Sequence, residues 1–204
     1  MTSVPTQTII FDLGKTLIPF CLEPLQARLE APGAAPGARD AAQRLFTRFE
    51  CGRLSAAAFE RAICELTRLP SAEFVPWWNS IFEHRLLLPE AWIRSLLARY
   101  RCGLLSNTNP LHFAFLSAGH PILSEFAFRI LSHEVGAAKP DPLIYQVAEA
   151  AAQCPPEAIV YFDDVPDFVA AARKRGWQAY RFTTAAAVQS ILPGLNEGQL
   201  RPHA

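Results

Sequence analysis

Asp12 closes a short apolar run, Ile9-Ile10-Phe11, and is followed by Leu13, Gly14, Lys15 and Thr16. A carboxylate delivered to the end of a buried strand is costly unless it binds a metal or takes part in chemistry. Other apolar runs end in the same way. One ends at Ser106-Asn107-Thr108-Asn109, and another at Asp163-Asp164 with Asp167 nearby. Lys139 stands in the loop A-A-K-P-D-P, before a helical pattern. Together these residues offer carboxylates for a hard cation, hydroxyl and amide donors, and one ammonium. Magnesium takes few carboxylates and fills its remaining positions with water and phosphate oxygens. The set therefore fits a site for phosphate and magnesium.

Such residues meet only if a sheet brings the run ends to one edge. Thr8–Phe11, Cys102–Leu105, Ala158–Phe162 and Gln178–Phe182, with a fifth run at Phe128–Leu131, read as buried parallel strands, which are continuously apolar rather than alternating. Helical patterns at Pro89–Tyr100, Asp141–Gln153 and Pro166–Arg175 separate most of them. This alternation predicts an α/β fold, a Rossmann-like open parallel sheet with helices on both faces. The rhythm breaks after Leu17, where no further strand is expected before Cys102. Leu22–Glu30, Ala38–Glu50, Ser55–Arg68 and Ser71–Glu83 read as helices, with Ser55 and Ser71 as N-caps and A-P-G-A-A-P-G (31–37) as a breaker loop. The expected division is an α/β core from 1–17 and 89–204, with a small all-helical cap, 18–88, inserted after the first strand. A cap there would sit over the carboxyl ends of the strands, where open α/β sheets bind ligands.

Composition narrows the function classes. The 204 residues are half apolar, 19% charged and formally neutral, which speaks against a nucleic-acid footprint and against polybasic membrane anchoring. No apolar run reaches the roughly 18 residues of a membrane span. Met1–Gln7 lacks the basic-then-apolar pattern of a secretory signal. Five widely spaced cysteines without a C-x-x-C pair read as reduced thiols in a cytoplasmic protein. Oligomeric state has no signature in the chain.

The order F-D-x-x-x-T-L, a strand ending in Ser, Lys-Pro, and a strand ending in Asp-Asp resembles the haloacid dehalogenase superfamily. L-S-N-T-N-P-L-H, K-P-D-P-L-I-Y, Y-F-D-D-V-P-D and F-E-C-G-R-L-S-A-A-A-F are most similar to the branch with glucose-1-phosphate phosphatases and the phosphatase domain of soluble epoxide hydrolase. The resemblance implies a Mg2+-dependent phosphatase for a small phosphorylated metabolite. In it Asp12 would be the nucleophile and form an aspartyl-phosphate. Ser106 and Lys139 would hold the transferring phosphoryl group, with Gly14, Lys15 and Asn107 around the phosphate. Asp12, the Gly14 carbonyl, Asp164 and Asp163 (the last directly or through water) would hold the metal.

Gly14 departs from the wider superfamily, which carries an Asp there as general acid and base; the branch resembled also has Gly. Losing that assistance, typically worth about a hundred- to ten-thousand-fold, should favour good leaving groups such as the anomeric oxygen of a sugar-1-phosphate. Lys15, where Gly or Asn is common, could bind phosphate but is not expected to replace a general acid. Two rival readings follow: a non-catalytic relative that binds a phosphorylated ligand or a protein, and a 2-haloacid dehalogenase. The second is disfavoured by the Asp163-Asp164 pair, because dehalogenases need no magnesium. Asp167 reads as a helix cap or an outer support for the metal, His112 as a packing or capping residue, and Trp77 and Trp78 as cap core. Phe46, Arg53 and Phe59 lie where a substrate could reach. Hinges are expected near 15–19 and 87–90.

Overall fold

The first apolar run pairs on both sides with other apolar runs, and this places Asp12 at the middle of a sheet. The structure, a computed structural model, describes residues 7–192, so all but Gln7 of the stretch read for a secretory signal lies outside it. The elements in chain order are β1 (Thr8–Phe11), α1 (Glu23–Leu29), α2 (Ala38–Glu50), α3 (Ala56–Thr67), α4 (Ser71–Asn79), α5 (Glu90–Leu97), β2 (Arg101–Ser106), α6 (Pro110–Gly119), β3 (Phe128–Leu131), α7 (Ser132–Val135), α8 (Pro142–Ala152), β4 (Ile159–Asp163), α9 (Pro166–Lys174), β5 (Gln178–Arg181) and α10 (Ala185–Ile191). The five strands form one parallel sheet in the order β3-β2-β1-β4-β5. Phe11 lies level with Leu104 of β2 on one side and Phe162 of β4 on the other. The strand order therefore reverses at β1, and the crevice beyond its carboxyl end is where such sheets take ligands.

Strand alternation sorts the core into two layers. Ile9, Phe11, Leu104, Val160 and Phe162 face a cluster shared with Trp92, Ile93 and Leu96 of α5 and Leu116 of α6. Ile10, Leu105, Ile159 and Tyr161 face the other cluster, with Ile144, Tyr145 and Ala148 of α8 and Val169 and Ala172 of α9. Phe11 stacks on Phe162 with ring centroids 5.4 Å apart, which ties β1 to β4 in the first layer.

Helices α1–α4 bury a third cluster of their own, centred on Phe49, Phe59, Phe74 and Trp78. The Phe49 and Phe59 rings stack at 4.3 Å and the Phe74 and Trp78 rings at 5.9 Å, so aromatic packing rather than helix propensity holds these short helices together. Ser55 caps α3 by accepting from the Ala58 amide at 3.3 Å. Ser71 differs from expectation. Pro70 is the N-cap residue, and the Ser71 hydroxyl, inside the first turn, donates instead to the Glu60 carboxylate. Helix α4 also stops at Asn79 rather than Glu83, and the chain then pairs with the segment leaving β1, through Cys21 N to Ile81 O (2.9 Å) and Glu83 N to Pro19 O (3.1 Å). All five cysteines are unpaired thiols.

Candidate active site

Asp12 shares the strand parity of Ile10, and Asp163 that of Tyr161, so both carboxylates project toward the α8/α9 face of the sheet. The loop before α8 brings Lys139 to that face. Its ammonium lies 2.7 Å from Asp12 Oδ1, 2.6 Å from Asp163 Oδ2, 2.9 Å from the Leu105 carbonyl and 3.1 Å from the Tyr161 hydroxyl. The Lys139 side chain is 1% exposed. A charge taken this far from water persists only when paired and hydrogen-bonded, and this one has two carboxylates.

Asn107 fastens the loop that carries the lysine. Its Nδ2 donates to the Lys139 carbonyl (3.0 Å), and its Oδ1 accepts from the Lys139 amide (2.7 Å). Both heteroatoms of Asn107, a residue expected beside the phosphate, are thus engaged in positioning Lys139. Ser106 ends β2 and is buried; among the described residues its hydroxyl makes only a long 3.5 Å contact, with the Asn107 carbonyl. Asp163 is fully committed. Oδ2 accepts from Lys139 and from the Tyr161 hydroxyl, and Oδ1 accepts from the Val165 amide at 2.8 Å. Tyr161 was not singled out from sequence; the signal was its place two residues before Asp163 on one strand face.

Asp12, Asp163 and Asp164 can bring one oxygen each to within 4.8 Å of one another. Three carboxylates gather around the buried Lys139 ammonium, with Lys15 acting on Asp164 from further away, so negative charge is in excess at the cluster. The carboxyl groups respond to this excess. Burial, together with Asp163 and Asp164, pushes the Asp12 carboxyl upward against the pull of Lys139. Half-buried Asp164 is raised by burial and by Asp163, and the two neighbouring carboxylates raise Lys139 against its burial. A divalent cation would cancel the excess, and hard oxygen donors are what magnesium takes. The residues present therefore fit the metal. Asp12 and Asp164 have the freest oxygens, while Asp163 is taken up by Lys139, Tyr161 and Val165.

Beyond Asp12 the chain turns tightly. Lys15 adopts φ 54° and its amide donates to the Ile18 carbonyl at 2.8 Å, while the Leu17 and Ile18 amides both donate to the Leu13 carbonyl. Thr16 is fully buried and its hydroxyl has no partner among the described residues. The turn delivers Phe20 against Gly14. A Cβ at position 14 would lie 2.6 Å from the Phe20 Cε1. The place of a side chain at 14 is thus occupied by an aromatic ring, over which the Lys15 ammonium sits 4.9 Å from the centroid.

A cavity of about 170 Å³ opens between this turn, the end of β2, α6 and the end of α2, with Gly14, Phe20, Phe46, Glu50, Ser106 and His112 among its walls. His112 pins the helices to the core. Asn109, the N-cap of α6, accepts the His112 amide on Oδ1 (3.1 Å), so its Nδ2 faces His112 Nδ1 (3.0 Å) as donor. His112 Nε2 then carries the proton and donates to the Trp78 carbonyl at 3.1 Å. Burial lowers its pKa to about 4, and the donor at Nδ1 leaves no room for a second proton. Asp167 lies in the first turn of α9, where Val165 is the N-cap residue and no side chain caps. Trp78 and Phe59 are buried in the helical cluster and Phe46 and Trp77 pack against it.

The chain matches the model of the haloacid dehalogenase-like hydrolases over residues 6–176. It is 26% identical over 193 residues to a D-ribitol-5-phosphate phosphatase of Bacteroides thetaiotaomicron, covering 86% of this chain and 91% of that one. A phosphatase of Mycobacterium tuberculosis is 33% identical over 117 residues, 57% of this chain, which spans about half (51%) of that relative's length. A solved haloacid dehalogenase family enzyme of B. thetaiotaomicron, itself in complex with magnesium and inorganic phosphate, superposes with a TM-score of 0.76 at 23% identity, over 88% of this chain and 95% of that one. A family match over most of the chain, around a parallel sheet whose carboxyl edge gathers Asp12, Ser106, Lys139 and Asp164, makes this chain a member of the haloacid dehalogenase-like hydrolases.

Proposed function

We propose that the protein is a magnesium-dependent phosphatase of a small phosphorylated sugar or polyol, working through a phosphorylated Asp12. The observation that carries this reading is the buried Asp12 carboxylate, held by Lys139 at 2.7 Å beside a second, less engaged carboxylate on Asp164. Asp12 Oδ2, the oxygen without the Lys139 hydrogen bond, attacks phosphorus. Lys139 keeps the carboxylate in place and, with the Ser106 hydroxyl, accepts the negative charge that gathers on the phosphoryl oxygens. Magnesium, held by Asp12 and Asp164 and the Gly14 carbonyl, would offset the charge cost of bringing a carboxylate to a phosphate. Asp163 orients Lys139 and is proposed to support the metal only through water.

Helices α1–α4 are proposed to act as a cap, with residues 18–88 closing over the cavity and excluding water. The two connections to the core run side by side: the Leu87 amide donates to the Leu17 carbonyl at 2.8 Å, next to the pairing of 19–21 with 81–83. The leaving alcohol is the finer point. Gly14 by itself favours an acidic one, such as the anomeric hydroxyl of a sugar-1-phosphate. The relative named for D-ribitol 5-phosphate points instead to a primary alcohol.

A panel of sugar and polyol phosphates with Mg2+, run beside Asp12→Asn, tests the reading. Turnover is expected in the wild type and lost both in Asp12→Asn and on chelation of the metal. Full activity in Asp12→Asn would show the mechanism wrong. Tight ligand binding without turnover would favour a binding protein.

A further inference from the structure

Phosphoryl transfer from an alcohol leaves an alkoxide that needs a proton. The space beside Asp12 where a carboxylate at position 14 would stand is filled by the Phe20 ring. A side-chain donor must therefore come from another wall of the same cavity. Two titratable side chains line it, Glu50 and His112. His112 has both ring nitrogens engaged, one by Asn109 and one by the Trp78 carbonyl, and titrates too low to act near neutrality. Lys15 is not part of the cavity wall, and its ammonium sits over Phe20.

Glu50 is the last residue of α2, and its carboxylate makes no hydrogen bond or ion pair with another described residue. Its neighbours along the cavity, Phe46, Leu22, Ile81 and Phe82, are apolar. The chain just beyond it rests on the core. Gly52 adopts φ +65°, and a Cβ there would lie 2.2 Å from the His133 carbonyl, so the end of α2 is seated close against α7. His133 in turn hydrogen-bonds the Thr108 carbonyl at 3.1 Å, at the loop that follows Ser106.

Resting on the phosphatase reading above, we propose that Glu50 is the catalytic residue that takes over the proton work absent at position 14. As Asp12 attacks phosphorus, the bond from phosphorus to the leaving oxygen breaks and the Glu50 carboxyl proton passes to that oxygen, releasing the neutral alcohol. The Glu50 carboxylate then takes a proton from the water that attacks phosphorus, the bond to Asp12 breaks, and Asp12, inorganic phosphate and protonated Glu50 are restored. Burial pushes the Glu50 carboxyl up to about 7, which suits a group that both gives and takes a proton near neutrality. Its place at the carboxyl end of a helix disfavours the anion further. His112 stands across the cavity, Arg39 lies at the far end of α2, and burial alone accounts for the shift of Glu50.

The test compares an alkyl phosphate, a poor leaving group, with para-nitrophenyl phosphate, a good one, in Mg2+. In Glu50→Gln the ratio of alkyl to aryl kcat/KM is expected to fall by about a hundred- to ten-thousand-fold. Glu50→Leu, matched to the apolar walls, should show the same fall. An unchanged ratio in both variants, with wild-type turnover intact, overturns the role of Glu50 and leaves the phosphatase reading standing. Equal loss on both substrates also overturns it, since a purely structural residue would behave so. Absence of wild-type turnover on either substrate removes the phosphatase reading itself, and the role of Glu50 with it.

Discussion

Replacing Lys139 by Met removes the buried ammonium from a cluster of three carboxylates while keeping a long, unbranched side chain in the hole. The wild-type ammonium lies 2.7 Å and 2.6 Å from two carboxylates whose side chains are 10% and 0% exposed. Breaking a buried ion pair by deleting one partner costs about 3–5 kcal/mol, because the charge left behind is neither hydrated nor paired. Lys139→Met should lose that much stability at pH 8 without divalent cation. The pH dependence has a definite sign. Asp12 is already raised by burial and by its carboxylate neighbours, and loss of Lys139 removes what pulls it down. A raised carboxyl contributes stability below its unfolded value, near 3.9, and that contribution is lost as pH rises through the folded value. The deficit relative to wild type should therefore be smaller at pH 5 than at pH 8. Mg2+ should restore part of it at pH 8 by supplying the missing positive charge. Urea unfolding followed by tryptophan fluorescence at both pH values, in chelator and in Mg2+, measures this. A loss under about 1 kcal/mol at pH 8, or one independent of pH, would refute the view that Lys139 neutralises buried charge.

His112 is held neutral, with a pKa lowered from 6.5 to about 4 by burial, so the unfolded chain binds the proton first and stability should fall as pH drops from 6.5 toward 4. The difference corresponds to roughly 3 kcal/mol, and His112→Gln should show a correspondingly flatter profile in thermal or urea unfolding across that range. Gly14→Ala places a methyl against Phe20 and should destabilise by about 1–3 kcal/mol. The double variant with Phe20→Leu should recover most of this, and failure to recover would mean that something other than the Phe20 ring excludes a side chain at position 14.

The readable parts of the sequence were those governed by local rules. The central strands are short buried runs whose types admit little else, the partly exposed edge runs at Phe128–Leu131 and Gln178–Arg181 kept enough apolar residues to be read, and the helical stretch after Leu17 was marked by the absence of any strand candidate. Asp12, Ser106, Lys139 and Asp164 were legible because each stands just beyond an apolar run or in a distinctive loop. Helix ends were harder. Ser71 is a favourable N-cap type, but Pro70 before it takes the cap position and frees the hydroxyl for Glu60. That choice depends on α3 lying alongside, which no local pattern encodes.

Tertiary structure decided how the site residues divide their work. Asn107 reads as one more donor near the phosphate, but its amide is spent on fixing the Lys139 loop. Asp163 and Asp164 are neighbours of one type, yet strand parity buries Asp163 between Lys139 and Tyr161 and leaves Asp164 half-buried and freer. Phe20 carried no functional mark in the chain, and Tyr161 and Glu50, though inside the resembled motifs, had no role that residue type alone assigned. Glu50 gained its elevated carboxyl from apolar neighbours distant in sequence, and Phe20 reaches Gly14 only because the turn after Asp12 folds back. Residue type and hydrophobic period alone set which chemical groups are present and which sheet edge collects them. Which groups end up paired, which stay free and which are starved of water was decided by the packing of distant segments, because hydration and charge pairing are properties of the assembled interior.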